Sequence, residues 1–396
     1  MILPAYDWEL KVDMARLRAY RTARLEAQMQ QDGLDAVVTM RVDNVRYITS
    51  FRPNSPASFF FFRYGAVQAV GQNPYLLVAS GDYARAVKSM PWLESRVKPL
   101  PMDVMLGVST FREVFQELGF FRHARVGIDE MGFQFYHRLC QDNPELSFMD
   151  GSNTLAKAKV IKGPEEIELI KQACIIAEAG MRAGTDSLRE GVTELDVAAE
   201  IQYTMIKCGS EGGHTNPIQV NSGENAVTLT RFPTERRIRN GDFVLMDVGC
   251  IFNGYNSDFC RTVLVGKPTV EQKRIYRTVY DSLWAAIEAC RPGEETSEID
   301  RASRDVIRKA GLEKYWYFGV TGHGIGISLQ ERPVIGEKSA AGEVSWVLQP
   351  GMVFSIEPSI HLPGVGGVRL EDSVLVTETG FEVLTRTAYQ EELLKD

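Results

Sequence analysis

In the second half of this 396-residue chain, residues of metal-ligating type interrupt apolar stretches at five places. Asp247 lies in VLMDVG, Asp258 in YNSDFCRT, His323 in TGHGIGIS, Glu357 in FSIEPS and Glu371 in VRLEDS. An ionised carboxylate inside a strand costs several kcal/mol unless it is paired. Several that converge from different strands require compensation, which a divalent metal provides. A pair of metals ~3.5 Å apart needs bridging as well as terminal carboxylates, so four carboxylates and one imidazole suit it. Taken singly, each residue has a plainer reading. An Asp on a hairpin usually sits in a turn, a Glu-Pro usually ends a strand, and a histidine between glycines usually sits in a loop.

The length suits two domains rather than one core. A 44% hydrophobic, 24% charged composition is that of a globular protein, and the net charge of -8 argues against nucleic acid as a partner. It also disfavours a polybasic membrane anchor. No apolar run reaches the roughly 18–20 residues of a membrane span. Asp7, Glu9 and Asp13 stand where a secretory signal would need a basic and then an apolar stretch, so a cytoplasmic location is expected. Six cysteines are scattered without a C-x-x-C pair, which reads as free thiols in a reducing compartment. Cys250 and Cys260 flank the five residues and keep a minor reading as ligand or nucleophile.

The first ~155 residues alternate helix and strand signals, an α/β domain with a mixed sheet. A helix is expected over 12–32, stopped by Gly33, with strands at 35–39, 45–49, 59–62, 75–80 and 126–129. Further helices are expected at 109–118 and 132–141. KVIKGPEEIELIKQA (159–173) marks the boundary, and Pro164, Glu165 and Glu166 open a helix there. The expected division is 1–158 and 159–396. In the second part, Thr193 with Asp196 and Thr269 with Gln272 cap two helices, and another is expected over 297–310. Residues 241–249 and 258–266 read as strands joined through Asn253-Gly254, and 352–358, 368–378 and 381–384 as further strands. A rhythm of helix pair and then strands occurs twice.

The order Asp, Asp, His, Glu, Glu in the settings DVG, GHGIG, IEP and RLED closely resembles the pita-bread metallopeptidase superfamily. NVRYITSF (44–51) and KGPEEIELI (162–170) extend the likeness to its two-domain branch of aminopeptidase P, prolidase and creatinase. The resemblance implies a creatinase-like N-terminal domain and a C-terminal pita-bread domain. It implies two divalent ions, manganese or ferrous iron by the hardness of the oxygen ligands, with zinc or cobalt also suited. Asp247 would hold the first ion, Asp258 and Glu371 would bridge, and His323 and Glu357 would complete the second. A water between the ions would attack the carbonyl of a C–N bond, with Glu357 passing the proton to the leaving amine. Arg369, two residues before Glu371, would orient a carboxylate or a proton relay; its plainer reading is a solvent salt bridge. Members of this branch are commonly homodimers, and SFFFFRYG (58–65) is the candidate contact, with a buried strand as its alternative.

This chain departs from the peptidase pattern at three positions. Histidines that bind substrate are replaced by Thr230, by Gln330 seven residues after His323, and by Gly319 four residues before it. His214 and His361 are the other histidines of this half, with candidate places in the pocket and at its rim. Three functions therefore stay open. One is a metal-dependent Xaa-Pro dipeptidase or aminopeptidase acting on a small peptide. Another is an enzyme acting on a small carboxylate-bearing metabolite, either a creatinase-like amidinohydrolase or amidohydrolase, or a dimethylsulfoniopropionate-type lyase. The last is a non-catalytic binding module.

Overall fold

The computed structural model describes residues 12–52, 64–120, 123–212, 218–228, 232–316, 319–336 and 345–395. They form two compact units, Met1–Lys159 and Val160–Asp396. Among the described residues, no helix is long and apolar enough to cross a membrane.

The first unit is built on a six-stranded mixed sheet. Its order is Val97–Pro99, Tyr75–Val78, Tyr64–Ala69, Ala36–Thr39, Arg125–Ile128, Ser147–Asp150. The three pairings that do not involve Tyr64–Ala69 are parallel. Helix Met14–Asp32 starts at Asp13, whose side chain accepts from the Arg16 N–H at 2.9 Å, and stops at Gly33 with φ 67°. Val38, Val67, Leu77, Phe111 and Phe135 form the core under the sheet.

Residues 45–49 are not a strand: Val42–Thr49 is a helix. Asn44 through Thr49 are all buried, so no in-out alternation distinguishes the two states, and the β-branched residues misled. The Tyr47 hydroxyl donates to the Ala158 carbonyl at 3.2 Å, one of the contacts that override local preference. The expected strand at 59–62 and most of 58–65 lie outside the described residues.

The second unit shows the twofold rhythm. Helices Pro164–Ser187 and Glu194–Lys207 precede a three-stranded antiparallel sheet of Gln219–Ser222, Phe243–Val248 and Phe259–Leu264. Helices Val270–Glu288 and Thr296–Lys309 precede a five-stranded one of Glu331–Gly336, Val320–Gly324, Val353–Ile356, Asp372–Val376 and Phe381–Val383. Capping boxes at Thr193–Asp196 and Thr269–Gln272 start two of the helices. Residues 368–378 do not form one strand. Gly366–Arg369 pairs with Ser359–Leu362, and Asp372–Val376 pairs with Val353–Ile356, leaving Leu370 and Glu371 between two sheets.

His361, on strand Ser359–Leu362, is fully buried and so cannot line a rim. Its Nδ1–H donates to the Ala226 carbonyl at 2.8 Å, fastening the short helix Glu224–Val227 to this hairpin. Burial pushes the imidazole down to about 4 from 6.5; the Ala226 bond opposes this and the Arg369 charge adds to it. Between those values the unfolded chain binds a proton that the folded chain refuses. Stability is therefore complete above about pH 6.5 and is lost as the pH falls towards about 4. Denaturant unfolding near pH 7 and near pH 5 should show wild type losing about 2 kcal/mol more across the interval than His361→Gln, which keeps an amide donor. Equal losses would remove this account.

Candidate metal centre

Strand Phe243–Val248 is buried along its whole length and carries Asp247 near its end. Asp247 pairs with Cys260 on strand Phe259–Leu264, and Cys260 forms an isolated antiparallel bridge with Glu371. Residues directly opposite in antiparallel pairs share a face, so Asp247, Cys260 and Glu371 form one row across two strands and the bridged segment between two others. Asp258 enters two residues before Cys260. Asp247, Asp258 and Glu371 each place one ligand oxygen so that all three lie within 4.8 Å of one another.

His323 comes from the other sheet, on strand Val320–Gly324 and opposite Ser355. It therefore lies on a strand, not in a loop. Its flanking glycines reflect strand spacing, because a Cβ at Gly322 would stand 2.0 Å from the Ser355 carbonyl oxygen and one at Gly324 2.6 Å from that of Arg332. The His323 Nδ1–H donates to the Gly324 carbonyl at 3.0 Å, which leaves the lone pair on Nε2. That nitrogen is 3.6 Å from both Asp258 Oδ2 and Glu357 Oε1. Glu357 follows strand Val353–Ile356 and is held by its N–H to the Thr321 carbonyl at 2.8 Å.

The site is strongly acidic. Burial first, and then repulsion from Glu371, Asp247 and Glu357, hold the Asp258 carboxyl well above its ordinary range. Glu371 is raised likewise by burial and by Glu357 and Asp247. Arg369 is the cation present, and its side chain is only 4% exposed, which excludes a solvent salt bridge. Its guanidinium pairs with Asp247, donates to Glu357 Oε2 at 3.4 Å and lies 3.8 Å from Glu371 Oε2. Glu371 Oε1 accepts from the Ser355 hydroxyl, whereas its buried Oε2 accepts no hydrogen bond from the described residues. One guanidinium among four carboxylates leaves excess buried negative charge, and the oxygen-rich set with one imidazole nitrogen fits divalent metal.

Two further candidates, Gln330 and Gly319, sit at exposed positions. Gln330 is exposed on the turn before strand Glu331–Gly336. Gly319 is exposed too, and a Cβ there would meet nothing within 4 Å. Thr230 and His214 lie outside the described residues. Burial pushes the Cys260 thiol well up and the Cys250 thiol up to about 12, so both stay protonated and neither suits a nucleophile. Ser355 and Arg261, which bond Glu371, were not singled out by the sequence, and neither was Asp372, which pairs with Arg261 although it ends the RLED motif.

Residues 168–378 match the family model of metallopeptidase family M24, and residues 21–161 match that of the creatinase/prolidase N-terminal domain. An Xaa-Pro dipeptidase of Pyrococcus furiosus is 39% identical over 93% of this chain and 98% of its own length. Another, of Pyrococcus horikoshii, is 30% identical over 91% of this chain and 95% of its own. An Xaa-Pro dipeptidase structure from Bacillus anthracis superposes with a TM-score of 0.81 at 26% identity, covering 94% of this chain and 99% of that one. The chain is a metal-dependent hydrolase with the pita-bread fold, and it belongs to metallopeptidase family M24.

Proposed function

We propose that this chain is an Xaa-Pro dipeptidase whose turnover of ordinary dipeptides is slow. The observation that carries the reading is the convergence of Asp247, Asp258 and Glu371 within 4.8 Å, in a chain with two near-full-length relatives that are Xaa-Pro dipeptidases. Those relatives favour a peptide over the small metabolite that the sequence left open. The retained ligand set speaks against a purely binding role, which has no use for costly buried carboxylates.

Residues 159–396 form the catalytic part of this reading and 1–158 its companion domain. Asp247 would hold one divalent ion, Asp258 and Glu371 would bridge to a second, and His323 and Glu357 would complete it. Manganese or ferrous iron suits these ligands best. When bound, the ions supply Lewis acidity that activates water and polarises the scissile carbonyl. Glu357, the most exposed of the four carboxylates, is placed to take a proton and deliver it to the leaving amine. Arg369 holds Asp247 and Glu357 in place. It is therefore engaged with the ligand set rather than available for a substrate carboxylate, and His361 is sealed from substrate altogether.

Slow turnover follows from the neutral groups at Thr230, Gln330 and Gly319. Loss of one donor to a tetrahedral intermediate costs ~10²–10³ in rate. The exposed Gln330 and the open space at Gly319 leave the site without an imidazole at either place.

Asp258→Asn removes a bridging charge and should abolish both hydrolysis and manganese retention while the far-ultraviolet circular dichroism stays native. Full activity in that variant would sink the bridging assignment. Wild-type kcat/KM on an Xaa-Pro dipeptide should fall below ~10⁴ M⁻¹s⁻¹, the low end of the usual enzyme range. Gln330→His should raise it ~10-fold or more. A wild type already above that value, unaltered by the substitution, would show that the histidine is dispensable. The likeness to two-domain members also carries the expectation of a homodimer. Analytical ultracentrifugation at micromolar concentration should find one, and a strict monomer would end that expectation.

A further inference from the structure

Behind the row of site residues lies a second buried polar layer that the roles above do not use. Arg261 follows Cys260, so its side chain leaves the opposite face of strand Phe259–Leu264. It is 3% exposed and uses all five of its N–H donors. Nη1 donates to the Cys260 carbonyl at 3.0 Å and the Glu371 carbonyl at 2.7 Å. Nη2 donates to Asp372 Oδ1 and Nε to the Thr387 carbonyl, at 2.7 and 2.9 Å, and Nη2 reaches Thr387 as well at 2.8 Å.

The two carbonyls on Nη1 belong to the bridge that positions Glu371. That bridge has only its own pair of backbone bonds, at 3.3 and 3.1 Å, because Glu371 sits in the break between strands Gly366–Arg369 and Asp372–Val376. No continuing ladder fixes this residue, so Arg261 supplies what a ladder would.

Arg261 is in turn held from the C-terminal tail. The Thr385 hydroxyl donates to Asp372 Oδ1 at 2.5 Å, and the Tyr389 hydroxyl donates to Asp372 Oδ2. The Tyr389 ring lies 4.4 Å from the Arg261 guanidinium carbon. Gln390 clasps both the N–H and the carbonyl of Leu264, at 2.7 and 3.3 Å, which pins the tail along the strand that carries Cys260. The match to the M24 family model ends at residue 378, before any of these tail residues.

We propose that tail residues 385–389 are a working part of the metal centre: Thr385 and Tyr389, through Asp372 and Arg261, are positioning residues that set the backbone of Glu371. The inference rests on the assignment of Asp247, Asp258 and Glu371 as metal ligands. Groups of this kind, which orient a ligand without touching the metal, typically govern 10–100-fold in affinity.

Calorimetric titration of the metal-free full chain with Mn²⁺ tests it. Tyr389→Phe and Thr385→Val should each weaken Mn²⁺ binding by ~10-fold while native circular dichroism is kept. Leu393→Ala serves as the control, because Leu393 is a buried apolar anchor of the same tail without a polar link to Asp372. It should lower Tm and leave Mn²⁺ affinity unchanged. Tail variants that bind Mn²⁺ as tightly as wild type would overturn the proposal. So would an equal loss in Leu393→Ala, which would show general loosening instead. A wild type that binds no Mn²⁺ would remove the ligand assignment itself, and the inference with it.

Discussion

Three carboxylates, from Asp247, Asp258 and Glu371, are brought within 4.8 Å of one another at buried positions, and the rest of the second unit is arranged around that fact. Such a cluster resists ionisation, as the raised Asp258 and Glu371 carboxyls show. Positive charge must come from somewhere. Arg369 supplies part of it from within the chain, and divalent metal supplies the remainder in the chemistry of family M24. The two roles differ. A guanidinium offers planar hydrogen bonds and cannot be deprotonated at ordinary pH, whereas a metal acidifies water. Arg369 therefore steadies the acids without competing for the reaction.

Position matters more here than net interaction energy. Buried ion pairs seldom add much stability, because desolvation offsets their attraction. The second unit nevertheless keeps several: Arg261 with Asp372, Lys162 with Glu331, and Arg304 with Asp300. Each stands beside a backbone segment that carries a site residue. Lys162 lies 3.0 Å from Glu331, whose Oε1 accepts from the Ser328 N–H. Asn256 donates to the carbonyls of Gly326 and Ile327, which ties the turn after His323 to the segment that bears Asp258. Asp300 accepts from Thr321, whose carbonyl holds the Glu357 N–H. Gln330, just before strand Glu331–Gly336, stays exposed while the turn itself is clamped.

Much of this was legible beforehand because it depends on local chemistry. Gly33, Thr193 with Asp196, and Thr269 with Gln272 announce helix ends through bonds made within a few residues. The five ligand-type residues were visible because charge inside apolar strands is costly and therefore uncommon. Residues 45–49 misled for the converse reason: when every side chain of a short segment is buried, neither helical nor strand periodicity survives in the sequence.

What the sequence determined by itself was thus the two-part organisation, the identity of the acidic set and its family. Only the tertiary structure decided that residues 368–378 break at Glu371 so that two sheets can meet, that His361 is sealed behind Ala226 rather than open to substrate, and that Arg369 faces carboxylates rather than solvent. It alone brought Tyr389 and Thr385 onto Asp372. The physical reason is that each depends on which groups meet once the sheets have packed, whether 13 and 17 residues apart, as Thr385 and Tyr389 are from Asp372, or 135, as His361 is from Ala226, and none of these separations is a helical or strand period by which the partners could be recognised.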